Sequence, residues 1–259
     1  MTTLQQVVAD WKAESDQLDV VLETLVGDDW HKATPAEGWD TRDTIGHLAD
    51  TNDVMLSSVT GGPRDLFAEA QAAAKELDLA SDQAVDAYTA WQMTKVRQMS
   101  GREAHDWWRQ TTERLHDLIA SLDETQRYRW GPNMVSPKSL ASARMMETWA
   151  HSLDIHAAHG FDYADTDRIS HIAFLGWRAL PYAFGLVGLE PPGAFRLELD
   201  APSGATWTLG DEDAPNVIGG SASDWCRVVA RRDRDGAAKR LHAEGPDAAN
   251  AIKHGRAFL

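Results

Sequence analysis

The chain has 259 residues, 43% hydrophobic and 25% charged, which suits one large or two modest globular domains and excludes a disordered or fibrous protein. Forty Asp and Glu against 25 Lys and Arg leave a formal charge of −15, so phosphate backbones and anionic lipid heads are repelled and neither nucleic acid nor membrane is an expected partner. A single cysteine, Cys226, excludes an internal disulfide; with no signal-like start and no long apolar run, a cytoplasmic location is expected.

Leu4, Val7, Val8, Trp11, Leu18, Val21, Leu22 and Leu25 recur at spacings of three and four, which predicts a first helix with one buried face. After the turn-forming TPAEGW, Asp40 or Thr41 can cap a second helix running through TIGHLADTNDVML to GGP at 61–63, with His47 near its middle. Residues 65–99, rich in Ala, Asp, Gln and Met, read as one or two helices with a boundary near Ser81. From Arg102 to Leu122, Trp107, Trp108, Leu115, Leu118, Ile119 and Leu122 again mark a helical face. Pro132 and Pro137 bracket a loop, Ser139 is the expected N-cap of the next helix, and Gly160 supplies its left-handed stop. A further helix from about Asp167 to Phe184 completes an all-α region.

Gly and Pro then concentrate at 185–193, and FRLELD and ATWTLG alternate apolar with polar residues, as strands of a hairpin do. SASDWCRVVARR reads as a capped amphipathic helix, RLHAEG as a short strand and DAANAIKHGRAFL as a closing helix. Residues 1–193 carry 16 basic and 30 acidic residues and 194–259 carry 9 and 10, so the acidity belongs to the helical part. The expected architecture is therefore mainly α, with residues 1–185 as a helical domain and 194–259 as a small α+β domain.

Positions four apart share one face of a helix, so Glu147 and His151 can close around one ion. Zinc is held firmly by three protein ligands with a fourth position open, and His47 on a second helix is the candidate for the third. Two His and one carboxylate also suit ferrous iron or nickel. By composition alone the trio is weak, because Glu and His four apart on a helix arise often by chance.

The segment EGWDTRDTIGHLAD resembles the metal-ligand helix of the DinB/YfiT-like superfamily, in particular its mycothiol-dependent maleylpyruvate isomerase branch, with His47 at the first ligand position. RMMETWAHSLDIHAAHG resembles that branch's second signature through Glu147, His151 and Asp154. The resemblance implies a four-helix bundle, and the C-terminal stretch resembles the sterol-carrier-like domain often attached to it. It also implies His47, Glu147 and His151 as ligands of one divalent metal, zinc first among the candidates, and a low-molecular-weight thiol such as mycothiol as co-substrate. The partner expected is a small electrophilic molecule, which the thiol converts by transfer or by cis–trans isomerisation.

Several neighbours invite a role. Asp154 can accept a hydrogen bond from a ligand imidazole, or serve as an ordinary capping residue. Arg144 can bind a substrate carboxylate, although a salt bridge to another helix suits it better. His156 and His159 rotate away from the His151 face and are excluded as ligands. Trp39 and Trp149 flank the ligands and can wall a pocket or fill the core. Cys226, beside Trp225 on an amphipathic helix, reads as buried and inert. Two rival functions use the same residues: a hydrolase with Asp43 or Asp154 as general base, and a non-enzymatic binding module built around a closed metal site.

Overall fold

The computed structural model describes residues 2–78 and 84–257. Four long helices form the N-terminal unit: α1 (Leu4–Glu23), α2 (Thr41–Thr60), α5 (Gly101–Ala120) and α6 (Pro137–His159), with α3 (Leu66–Glu76) and α4 (Ala84–Val96) paired beside them. Helix α1 packs on α5 and α6, and α2 packs on the same two, which closes a four-helix bundle. Residues 65–99 thus hold two helices, and the expected boundary near Ser81 lies outside the described residues.

Local chemistry sets the ends of these helices. Asp40 caps α2, accepting from the Asp43 N–H while the Asp43 carboxylate accepts from the Asp40 N–H, and Gly61 ends the helix in the left-handed region at φ 73°. Ser100 and Glu103 make the same reciprocal cap on α5. Helix α6 starts at Pro137, not at the expected Ser139 cap. Ser136 accepts from the Ser139 N–H, and proline, having no N–H to place, fits the first turn. Gly160, at φ 65°, closes it as expected. The expected loop between Pro132 and Pro137 instead holds strand β2 (Asn133–Val135), which pairs with β1 (Tyr128–Trp130) in a small hairpin that turns on Gly131 at φ 55°.

The bundle core falls into two apolar layers. Leu4, Val8, Trp11, Met55, Leu115 and Met145 fill one, and Leu18, Leu22, Ile45, Leu48, Trp108 and Ile155 fill the other. Buried polar side chains stand among them, including Asn52, Thr111, Thr112, Arg144 and Thr148. Each buried Leu, Ile or Met contributes about 1.5–3 kcal/mol, whereas a satisfied hydrogen bond contributes about 1 kcal/mol. The apolar layers therefore carry the stability, and polar groups in the bundle add chemistry at small energetic cost when paired.

The C-terminal unit spans Tyr163–Leu259. Helices α7 (Ser170–Arg178) and α8 (Leu180–Leu186) precede strands β3 (Phe195–Asp200), β4 (Thr206–Leu209) and β5 (Asn216–Ser221). Helices α9 (Ala222–Ala230) and α10 (Arg234–Arg240), strand β6 (His242–Glu244) and helix α11 (Ala248–His254) follow. The sheet order is β4-β3-β5-β6, with β3 and β5 parallel and both outer pairings antiparallel. Phe195, Leu197 and Leu199 point into the core at period two, as the alternation in FRLELD predicts.

The expected domain boundary at 185–193 is displaced in the structure, where the two compact units divide between Asp162 and Tyr163. Helix α7 packs on α9: Trp225 Nε1 donates to the Ala173 carbonyl at 3.1 Å, and Gly176 lies against Val229 with no room for a Cβ. The apolar face of residues 170–184 is thus buried in the C-terminal unit. Among the described residues, no helix is long and apolar enough to cross a membrane.

Candidate metal centre

His47 projects from α2, and Glu147 and His151 from successive turns of α6. One carboxylate oxygen, Glu147 Oε2, lies 3.7 Å from His47 Nε2 and 3.6 Å from His151 Nε2. The two imidazole rings meet edge to face with centroids 5.2 Å apart. One ligand atom from each of the three lies within 4.8 Å of the others.

Donors held about 2.0–2.2 Å from a tetrahedral ion stand roughly 3.3–3.6 Å from one another. The Glu147 contacts to both imidazoles are within a few tenths of an ångström of that spacing, so the residues fit a divalent ion.

The imidazoles are oriented from behind. His151 Nδ1 is 3.0 Å from Asp154 Oδ2, and His47 Nδ1 is 2.9 Å from Gln92 Oε1. Both acceptors engage the Nδ1 side, which leaves each Nε2 facing Glu147. Burial pushes the Glu147 carboxyl up, but His151, His47 and the Arg144 charge outweigh it and hold the pKa well below the usual carboxylate range. The group is an anion at neutral pH, as a metal ligand must be.

Asp154 takes the bracing position that the sequence suggested for it. Arg144 is buried, donating from Nε to Asn52 Oδ1 at 3.0 Å and from Nη2 to the Leu48 carbonyl at 3.4 Å. It thus ties α6 to α2 through polar acceptors instead of the expected salt bridge. Asp43 caps α2 and takes a two-pronged contact from Arg97, whose Nε and Nη2 lie 3.1 and 2.8 Å from Oδ2. Trp39 lies over the site, its ring 4.9 Å from that of His47 and stacked at 5.9 Å on that of His151, whereas Trp149 is a core residue. His156 bonds the Ser152 carbonyl through Nδ1 and His159 faces Thr41, so neither joins the cluster. Cys226 is buried against the Ile169 carbonyl, and burial raises its thiol pKa well above the ordinary value, which makes it a poor nucleophile.

Sequence reasoning missed Gln92 and, behind it, Asp50. Asp50 lies three residues after His47 on the same helix, but the Gln92 contact crosses from α4 and leaves no mark in local spacing.

Residues 11–156 match the family described as Mycothiol maleylpyruvate isomerase N-terminal domain. Two relatives from Mycobacterium tuberculosis, the uncharacterized proteins MT0041 (strain CDC 1551 / Oshkosh) and Rv0036c (strain H37Rv), are each 38% identical over 253 residues, covering 97% of this chain and 94% of theirs. The crystal structure of the mycothiol-dependent maleylpyruvate isomerase superposes with a TM-score of 0.55, and that of a mutant of it with 0.56. Each is 14% identical and covers 95% of this chain and 96% of that one, a likeness of fold. With a match that spans more than half of its residues, the chain belongs to the mycothiol maleylpyruvate isomerase N-terminal domain family.

Proposed function

We propose that the protein is a metal-dependent enzyme in which His47, Glu147 and His151 hold one divalent ion, zinc first and nickel or iron next, and that its co-substrate is a low-molecular-weight thiol, mycothiol by the family's example. The observation that carries this reading is the convergence of His47 Nε2 and His151 Nε2 on one Glu147 oxygen, with both rings braced through Nδ1. Three protein donors are found among the described residues, which suits an open coordination position rather than a closed structural site.

A divalent ion held there supplies positive charge that keeps a thiol ionised at neutral pH. The chain's own residues do the rest. Glu147 contributes one negative charge, so the site retains net positive charge to draw a thiolate. Asp154 and Gln92 hold the imidazoles in place. Trp39 walls the site with a flat apolar face.

The sulfur adds to an activated alkene, forming a C–S bond while the π pair moves onto the carbon next to the activating carbonyl. Rotation about the former double bond and expulsion of the sulfur by the carbanion's electron pair return the isomerised alkene and the thiolate. Proton capture at that carbon leaves a thioether instead, which is transfer. The hydrolase reading has less support, since Asp43 is engaged by Arg97 and Asp154 by His151 and neither stands ready as a general base.

The test is turnover of a maleyl-type activated alkene by zinc-loaded protein with and without mycothiol. Activity should require both, and Glu147→Gln should lower it even where some metal stays bound. Equal turnover of the protein's substrate without any thiol would overturn the proposal in favour of the hydrolase.

A further inference from the structure

The geometry points to Gln92 and Asp50 as positioning residues that decide which nitrogen of His47 carries the proton. The inference rests on the metal-site reading above, because its consequence is a lone pair on His47 Nε2 beside Glu147.

Asp50 is buried in the bundle, 1% exposed, and accepts from Tyr88 Oη at 2.8 Å, Arg64 Nη1 at 3.0 Å, Lys95 Nζ at 3.3 Å and Gln92 Nε2 at 2.8 Å. Burial pushes its pKa up, but the Arg64 guanidinium and the bonds from Gln92 and Tyr88 hold it below the usual value. It is therefore a carboxylate, and a carboxylate only accepts. Gln92 must turn its NH2 toward Asp50, which leaves Oε1 facing His47 Nδ1 at 2.9 Å. An amide oxygen also only accepts, and at 2.9 Å it takes a proton from Nδ1, whereas Glu147 Oε2 at 3.7 Å lies beyond hydrogen-bond reach of Nε2, so the proton of neutral His47 sits on Nδ1. The lone pair then falls on Nε2, the atom 3.7 Å from Glu147 Oε2.

The free histidine side chain favours the opposite tautomer, with the proton on Nε2, where a metal would have to displace it. His151 is set directly by a carboxylate on its own helix, whereas His47 is set by a carboxylate acting through a neutral amide on another helix. Docking of α4 against α2 thereby becomes part of preparing the site, and a bundle lacking that contact holds His47 in the wrong protonation pattern for a ligand.

The test uses metal-free, full-length protein with 15N-labelled imidazoles at pH 8, where ring nitrogen–proton correlations in NMR report the tautomer of His47. Zinc affinity is measured on the same proteins by chelator competition. In the wild type the His47 proton should be on Nδ1. In Gln92→Leu it should move largely to Nε2 and the zinc Kd should rise about tenfold or more. Asp50→Asn, which keeps Gln92 but lets its amide turn either way, should give a mixture. Val96→Ala, which trims a packing contact beside the relay but keeps Gln92 and Asp50 and their bonds, should leave the tautomer unchanged and so separates positioning from packing.

Retention of the Nδ1 proton in both Gln92→Leu and Asp50→Asn would overturn the inference, as would zinc affinity within twofold of wild type in Gln92→Leu. If the wild type binds no zinc while the tautomer responds as stated, the metal reading fails and the tautomer assignment stands.

Discussion

His151 Nδ1 lies 3.0 Å from Asp154 Oδ2, so the helix that supplies this candidate ligand also supplies, one turn later, the carboxylate that orients it. Glu147, His151 and Asp154 occupy successive turns of α6, an arrangement that needs only a regular helix to be in register.

Replacing Asp154 by Ala should therefore weaken zinc binding about 10–100-fold while leaving the three ligands in place, the usual effect of removing a partner behind a ligand imidazole. Chelator competition on wild type and variant measures it. Unchanged affinity would show that the carboxylate braces the helix and not the metal.

His116 provides a pH dependence separate from the site. It is buried against the edge of Trp11 with centroids 4.0 Å apart, and among the described residues its Nε2 has no hydrogen-bond partner. Burial, aided by Lys12, pushes its pKa down to about 4 from an ordinary 6.5. Between those values the unfolded chain takes up a proton that the folded one refuses, so stability falls as pH drops through the window and is unaffected by this group above it. At pH 5 the loss is about 2 kcal/mol. Urea denaturation at pH 7.5 and pH 5 should show that loss in the wild type and less of it in His116→Leu. Equal pH dependence in the two proteins would remove His116 as its source.

Gly46 precedes His47 where α2 packs on α4, and a Cβ there would overlap the Val96 side chain. Gly46→Ala should destabilise the protein by roughly 1–3 kcal/mol through overpacking. Val96→Ala should give back part of that loss, so the double variant is less destabilised than the sum of the two single ones. Strict additivity in denaturant titrations would place the strain elsewhere.

The bundle was legible because apolar periodicity marks α1 and α5, and caps and stops such as Asp40 and Gly160 mark α2 and α6. Helical spacing offered Glu147 and His151 as a weak pair with His47 as a candidate partner, and the resemblance singled out the trio, since no local rule links residues a hundred positions apart. Gln92 was hidden for the same reason, and α4 lacks a clear apolar stripe to orient it. The short hairpin at Tyr128–Val135 has three-residue strands, too brief for alternation to show. Strand β5 and helix α10 also went unread: Gly219 and Gly220 interrupt the strand, and α10 is only seven residues long.

The misplaced domain boundary has a different origin. The Gly and Pro residues at 185–193 do mark a break between helix and sheet, but periodicity over 170–184 says only that one face is buried and not against which partner. The Trp225 and Val229 contacts decide it in favour of the C-terminal unit.

The most direct test of the metal centre is elemental analysis of zinc-reconstituted, extensively dialysed protein. About one zinc per chain should remain in the wild type, and His47→Ala and His151→Ala should each lose most of it while keeping the helical content of the bundle. Full zinc occupancy in both folded variants would contradict the assignment of His47, Glu147 and His151 as the metal ligands.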